Sequence, residues 1–145
     1  MNKLHSGKIA AVVALGLGVL ALAAPASAQT RMRVDIPFPF VAGSQSLPAG
    51  EYNLVIDANF SFSHLDSVTN GSIHRINFQP GVSRPVADTG KGVLQFQRYG
   101  DRYFLSAVWR PGRTDGLATH PSRRLIEAAK NGAAGEAVNV DTDIK

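Results

Sequence analysis

The chain has 145 residues, 44% of them apolar, with 15 Lys and Arg against 11 Asp and Glu and no cysteine. That length suits one small domain with a modest core. The lack of cysteine excludes disulfides, thiolate zinc sites, haem attachment through Cys and thiol catalysis.

Met1 to Ala28 has the pattern of a secretory signal peptide, with Lys3 and Lys8 first, an uncharged stretch from Ile9 to Ala24, and a small-residue Ala26-Ser27-Ala28 site behind Pro25. The uncharged stretch is 16 residues long, short of the roughly 20 that span a bilayer. Cleavage after Ala28 is therefore expected in place of a transmembrane anchor. It leaves 117 residues carrying 13 basic and 11 acidic side chains. A net charge of +2 over that length does not by itself point to nucleic acid. The expected location is periplasmic or extracellular.

Val34, Ile36, Phe38 and Phe40 alternate with Asp35, Pro37, Pro39 and Val41, which is strand periodicity. Proline donates no ladder hydrogen bond, so an edge strand is expected. Leu47-Pro48-Ala49-Gly50 is a turn by composition. Glu51 to Asp57 reads as the second strand, with Tyr52, Leu54 and Ile56 inward. Phe60 to Asp66 reads as the third, with Phe60 and Phe62 on one face. The Asn70-Gly71 pair favours a hairpin turn. Ser72 to Gln79 reads as the fourth strand, with Ile76 and Phe78 opposite Ile73, Arg75 and Asn77. Pro80 to Gly92 is rich in breakers and reads as a loop.

Leu94 to Trp109 organises the rest. Two alternating runs flank Gly100-Asp101, so a hairpin is expected with Tyr99 opposite Arg102, Phe96 opposite Leu105 and Leu94 opposite Ala107. One face then carries Leu94, Phe96, Tyr103, Leu105, Ala107 and Trp109. The other carries Gln95, Gln97, Tyr99, Arg102, Phe104 and Ser106. Phe104 and Val108 are misfits on that wetter face. Arg110 to His120 reads as a second loop. A helix is expected from Arg123 to about Asn131, with Ser122 as its N-cap and Gly132 ending it.

The expected fold is mainly β: a small antiparallel β-barrel or β-sandwich of about six strands with one C-terminal helix. Residues 1–28 form the signal peptide, 29–132 a single β domain ending in the helix, and 133–145 a flexible tail.

The stretches IPFPFVAG and LPAGEY at 36–52, RYGDRYFLSAVW at 98–109 and SRR at 122–124 together resemble a family of small uncharacterised exported proteins of soil bacteria. The resemblance implies a single exported β domain and carries no activity, cofactor or catalytic residue with it.

Candidate chemistry is sparse. His64, Asp66 and His74 flank the Asn70-Gly71 turn and offer two imidazoles and a carboxylate as a remote metal set. No G-x-S-x-G elbow and no phosphate-cradling glycine motif occurs. The expectation is a non-catalytic binding or envelope-interaction module without a cofactor. Tyr99, Arg102 and Phe104 would be its contact residues, and an envelope component or polysaccharide its partner, not nucleic acid. The alternatives are a lipocalin-like carrier of an apolar ligand, and a small hydrolase of envelope polymers. The hydrolase needs two of Asp57, His64, Asp66, His74, Asp115 and His120 to converge.

Overall fold

The computed structural model describes residues 29–60, 62–83, 90–131 and 134–144. Residues 1–28, expected to be a signal peptide, lie outside the described residues. In chain order the elements are β1 (Thr30–Ile36), β2 (Phe40–Ala42), β3 (Gln45–Leu47), β4 (Gly50–Ile56), β5 (Ser63–Ser67), β6 (Ile73–Ile76) and β7 (Phe78–Ser83). They continue with β8 (Gly92–Tyr99), β9 (Arg102–Trp109), β10 (Asp115–Thr119), helix α1 (Arg123–Lys130) and β11 (Glu136–Ile144). The sheet runs β3-β2-β9-β8-β11-β1-β4-β5-β6, with β10 added to β9 and β7 to β10. It curls into a nearly closed barrel.

Closure follows from two pieces of local chemistry. β6 and β7 are separated only by Asn77, so one nearly continuous stretch leaves β5 and joins β10 at the far end of the sheet. The outer edge of β9 is shared. β2 pairs with its first half in parallel, Phe40 opposite Tyr103, and β10 pairs with its second half, Leu117 opposite Val108.

Among the described residues eleven strands replace the expected six or so. The alternating run at 34–41 is cut at Pro37-Phe38-Pro39, which lies between β1 and β2. With its prolines outside the ladder, β1 pairs on both sides, with β4 and β11, and is no edge strand. The expected loop at 80–92 is shorter, because β7 runs through Pro80 and Gly81 to Ser83. There β7 pairs only with β10, and the register shifts beside Leu117, the partner of Pro80; an edge strand with a shifted register tolerates the missing N–H. Residues 84–89 of that stretch lie outside the described residues. The expected second loop narrows in the same way, since Asp115–Thr119 fills the space between β7 and β9.

The expected tail is also corrected. Glu136–Ile144 is β11, the strand between β8 and β1, and it pairs with β8 from Glu136↔Arg98 to Thr142↔Gly92. Its apolar positions Val138 and Val140 pack against the barrel core. Unpaired, β8 would carry an open edge along its length, and the weakly apolar segment is ordered by that edge.

Phe60 does not start a strand. It has φ +59, a costly conformation for a bulky side chain. The turn is closed by the Phe60 N–H donating to Asp57 O at 3.1 Å and the Phe62 N–H donating to Asp57 Oδ1 at 3.1 Å. Phe60 packs on the core, with the Arg110 guanidinium 5.3 Å from its ring centre. Phe62 is exposed.

The barrel interior holds Met32, Leu54, Leu65, Leu94 and Phe96, all fully buried. One end is aromatic. Phe38 stacks on Tyr103 at 3.8 Å, and Phe96 meets both Phe38 and Phe40 edge-on. Phe40 in turn meets Tyr52 edge-on, and the Tyr52 hydroxyl donates to Pro48 O at 2.7 Å. Burial pushes the Tyr52 phenol pKa up.

The 94–109 hairpin has the expected register near its turn. Tyr99 pairs with Arg102, Arg98 with Tyr103 and Phe96 with Leu105. Gly100 has φ +60, as the tight turn requires. Past Phe96 the register shifts: Gln95 pairs with Ala107, Leu94 with Val108 and Val93 with Trp109. Ser106 is the extra residue of a β-bulge, and one extra residue turns every later side chain to the other face. Val108 therefore enters the main core. Ala107 and Trp109 leave it and form a small outer cluster with Val93 and Val82.

Candidate functional site

Tyr99 ends β8, and Arg102 and Phe104 open β9, all three on the outer face. They do come together. Tyr99 meets the Phe104 ring edge-on at 6.1 Å, and the Arg102 guanidinium lies 5.3 Å from its centre. Phe104, however, is only 1% exposed. It is a covered apolar anchor and offers little contact surface of its own. Tyr99 is half-buried, and the chain passes over its ring at Gly135, where a Cβ would stand 2.7 Å from the Tyr99 ring carbon bearing the hydroxyl. Arg102 is the exposed member of the three.

The cover comes from elements distant in sequence. The Ser122 hydroxyl accepts from the Leu125 N–H at 3.2 Å and starts α1 as expected. The helix brings Leu125 to a shallow cleft of about 100 Å³, which it lines with Phe104, Val41, Thr119, His120 and Ser122. Arg124 Nη1 donates to Ser46 Oγ at 2.8 Å, tying the helix to β3. On the other side of Val41 a second, more open depression of about 170 Å³ is lined by Phe40, Leu47, Tyr103, Asp101 and Arg102. The two flank β2, with apolar floors and polar or cationic rims. Both are smaller than the roughly 300 Å³ at which small-molecule pockets begin.

The bulge faces the same cleft. The Ser106 hydroxyl donates to Gln95 O at 3.0 Å, and the Thr119 hydroxyl donates to Leu105 O at 2.7 Å. Both hydroxyls bond backbone carbonyls beside the register shift.

The remote metal set does not assemble. His64 and Asp66 share a face, 3.4 Å apart. His74 pairs with Leu65 and so stands on the opposite face of the sheet. Among the described residues no three metal-ligating side chains gather.

His74 has other partners. Its Nε2 lies 2.8 Å from Ser72 Oγ, and its Nδ1 meets the Gln45 side-chain amide at 2.8 Å. A serine and an amide on either side of an imidazole look like a nucleophile relay, and proton accounting argues against one. Asn70 Oδ1 accepts the Ser72 N–H at 3.0 Å, which fixes it as an acceptor, and Ser72 Oγ lies 2.7 Å from the same oxygen. The Ser72 hydroxyl thus donates its proton to Asn70, so that proton is not held by His74. Of the six acids and histidines weighed for hydrolysis, His64 and Asp66 are the pair in contact, and they are neighbours on one strand.

Arg113 donates to both Asp115 oxygens, at 2.7 and 2.9 Å. This hydrogen bonding, with the charges of Arg113 and Arg110, holds the Asp115 carboxyl below the usual carboxylate range.

The outward set of Tyr99, Arg102 and Phe104 is readable from strand alternation. Val41, Thr119 and Leu125 are not. The one sequence signal for them is the His120-Pro121-Ser122 junction, which forces a helix start beside whatever β10 abuts. Among the described residues no helix is long and apolar enough to cross a membrane. Comparison with known protein families, curated proteins and solved structures finds no match.

Proposed function

We propose that the chain is an exported, non-catalytic binding module that recognises an envelope component through the outer surface beside β2. The observation that carries this reading is the position of the relief. One depression lies on the outer face over Phe104 and Val41, and the other opens beside β2 at the aromatic end of the barrel, with Arg102 exposed at its rim. The barrel centre is occupied by fully buried side chains such as Met32, Leu94 and Phe96. That packing favours external recognition over the lipocalin-like carrier, which needs an enclosed apolar hollow. The hydrolase reading has less support, because its one contacting pair, His64 and Asp66, sits on a single strand outside either depression, and the Ser72 hydroxyl donates to Asn70. The leader at 1–28 and the resemblance to exported soil-bacterial proteins support export. An acidic polysaccharide or lipid phosphate suits a rim that carries Arg102, with Arg124 of α1 held nearby on Ser46.

The test is retention of the tagged protein on envelope fractions of its native cell. The wild type is expected in the envelope-bound fraction, and Arg102→Ala is expected to shift it to the soluble fraction without changing its melting temperature. Equal retention of a folded Arg102→Ala protein would overturn the reading.

A further inference from the structure

Among the described residues the barrel wall has one junction without backbone pairing. The sheet path ends at β3 on one side and β6 on the other. β10 and β7 close the wall along the second half of β9. Along its first half, β2 and β3 extend toward β6, and no backbone pairing joins β3 to β6 among the described residues. Their link is a side-chain bridge, His74 Nδ1 to the Gln45 amide at 2.8 Å. End-to-end contact of two long side chains fits banks that stand wider than the ~4.8 Å spacing of a ladder.

The banks agree in facing. Gln45 shares the inner face of Leu47 and Ala42, and His74 shares that of Ile76 and Leu65. The outer positions carry charge of one sign. Arg75 lies on β6, with its guanidinium 5.8 Å from the exposed Phe62 ring, and Arg124 is held on Ser46 of β3. Ile73, also outward on β6, is 69% exposed.

We propose that this gap takes an extended acidic peptide from another protein as an added strand. Only an extended backbone offers N–H and C=O groups to two facing strand edges at once. Alternate side chains would face inward over Leu47 and Ile76. The others would point outward, where carboxylates meet Arg75 and Arg124. The His74–Gln45 bridge holds the gap when empty and parts when the strand enters. The site shares Ser46 and Leu47 with the depression at the Arg102 rim, and Arg75 on β6 tells the two apart.

The probe is a blocked hexapeptide of alternating valine and glutamate, labelled for fluorescence anisotropy with the purified protein. Binding is expected, and it should weaken by about tenfold or more when alternate backbone nitrogens are methylated, since each lost hydrogen bond removes part of the affinity. Replacing glutamate by lysine should weaken it similarly, and Arg75→Glu should reverse that preference. Because the chain has no cysteine, Gln45→Cys with His74→Cys gives a unique pair for a short bismaleimide. The cross-linked protein should lose binding that the uncross-linked variant keeps. No binding at millimolar peptide, indifference to N-methylation, or equal binding after cross-linking would each overturn the proposal. Should the double variant fail to fold, the Arg75→Glu reversal and the methylated peptide still decide it.

Discussion

The Thr119 hydroxyl donates to the Leu105 carbonyl at 2.7 Å, beside the point where the register of β9 slips by one residue. That bond joins β10 to the bulge which places Val108 inside the barrel and Trp109 outside it. Thr119→Val keeps the shape and removes the donor. Leaving a part-buried carbonyl without its partner costs about 1–3 kcal/mol. Chemical denaturation should show that loss with an unchanged m-value.

Gly92 faces Thr142 across the β8–β11 ladder. A Cβ there would stand 2.5 Å from Thr142 Oγ1 and 2.6 Å from Met32 Sδ. Overpacking of this kind costs about 1–3 kcal/mol. Gly92→Ala should therefore lower the melting temperature by about 4–8 °C for each kcal/mol in a domain of this size. A thermal melt that matches the wild type would mean the three strands can move apart freely.

Phe104 was expected on the wetter face and is almost fully buried under Arg102, Tyr99 and the Leu125 cleft. Phe104→Ala should cost about 3–5 kcal/mol, the range for a buried aromatic. Arg102→Ala, at an exposed position, should stay within about 0.5 kcal/mol of the wild type. Parallel urea titrations of the two variants separate an anchor from a contact residue.

Truncation after Gly135 removes β11. A flexible tail would be lost without consequence. Here the loss opens the edges of β8 and β1 together and strips the contacts of Val138 and Val140 with the core. The truncated chain should lose its cooperative thermal transition, and the β8 amides should lose protection from hydrogen exchange.

Asp115 carries the clearest acid-side pH effect. Its carboxyl pKa is depressed in the folded chain, first by the hydrogen bond from Arg113. The stabilisation it contributes is therefore present above the unfolded-chain value and lost as pH falls through the lower, folded one. Carboxyl-carbon NMR should place the Asp115 midpoint lower in the wild type than in Arg113→Gln. Because the pair is exposed, the accompanying stability change should be small.

Local chemistry is what could be read along the chain. The Gly100-Asp101 turn, the register beside it, the Asn70-Gly71 turn and the Ser122 cap depend on neighbours within a few residues, and each stands where it was expected. Strand alternation also placed Tyr52, Leu54, Ile56, Ile76 and Phe78 inward correctly.

The errors share one cause. Pro80 stays in a strand because β7 is an edge, Asp115–Thr119 is a strand because β7 and β9 flank it, and Glu136–Ile144 is a strand because β8 offers an edge. None of these partners is near in sequence. The candidate site divides in the same way: the outward direction of Tyr99, Arg102 and Phe104 follows from a period of two, and their cover depends on where α1 docks.

A mainly β chain with a tight hairpin at Gly100-Asp101 and a capped helix at Ser122 follows from local chemistry, because backbone conformational preference and side-chain alternation act over one to four residues. Long-range packing alone makes Ser106 a bulge, covers Phe104 and leaves β3 and β6 without backbone pairing among the described residues. Pairing partners are chosen by the free edges and buried surface that distant segments present, and no local pattern encodes them.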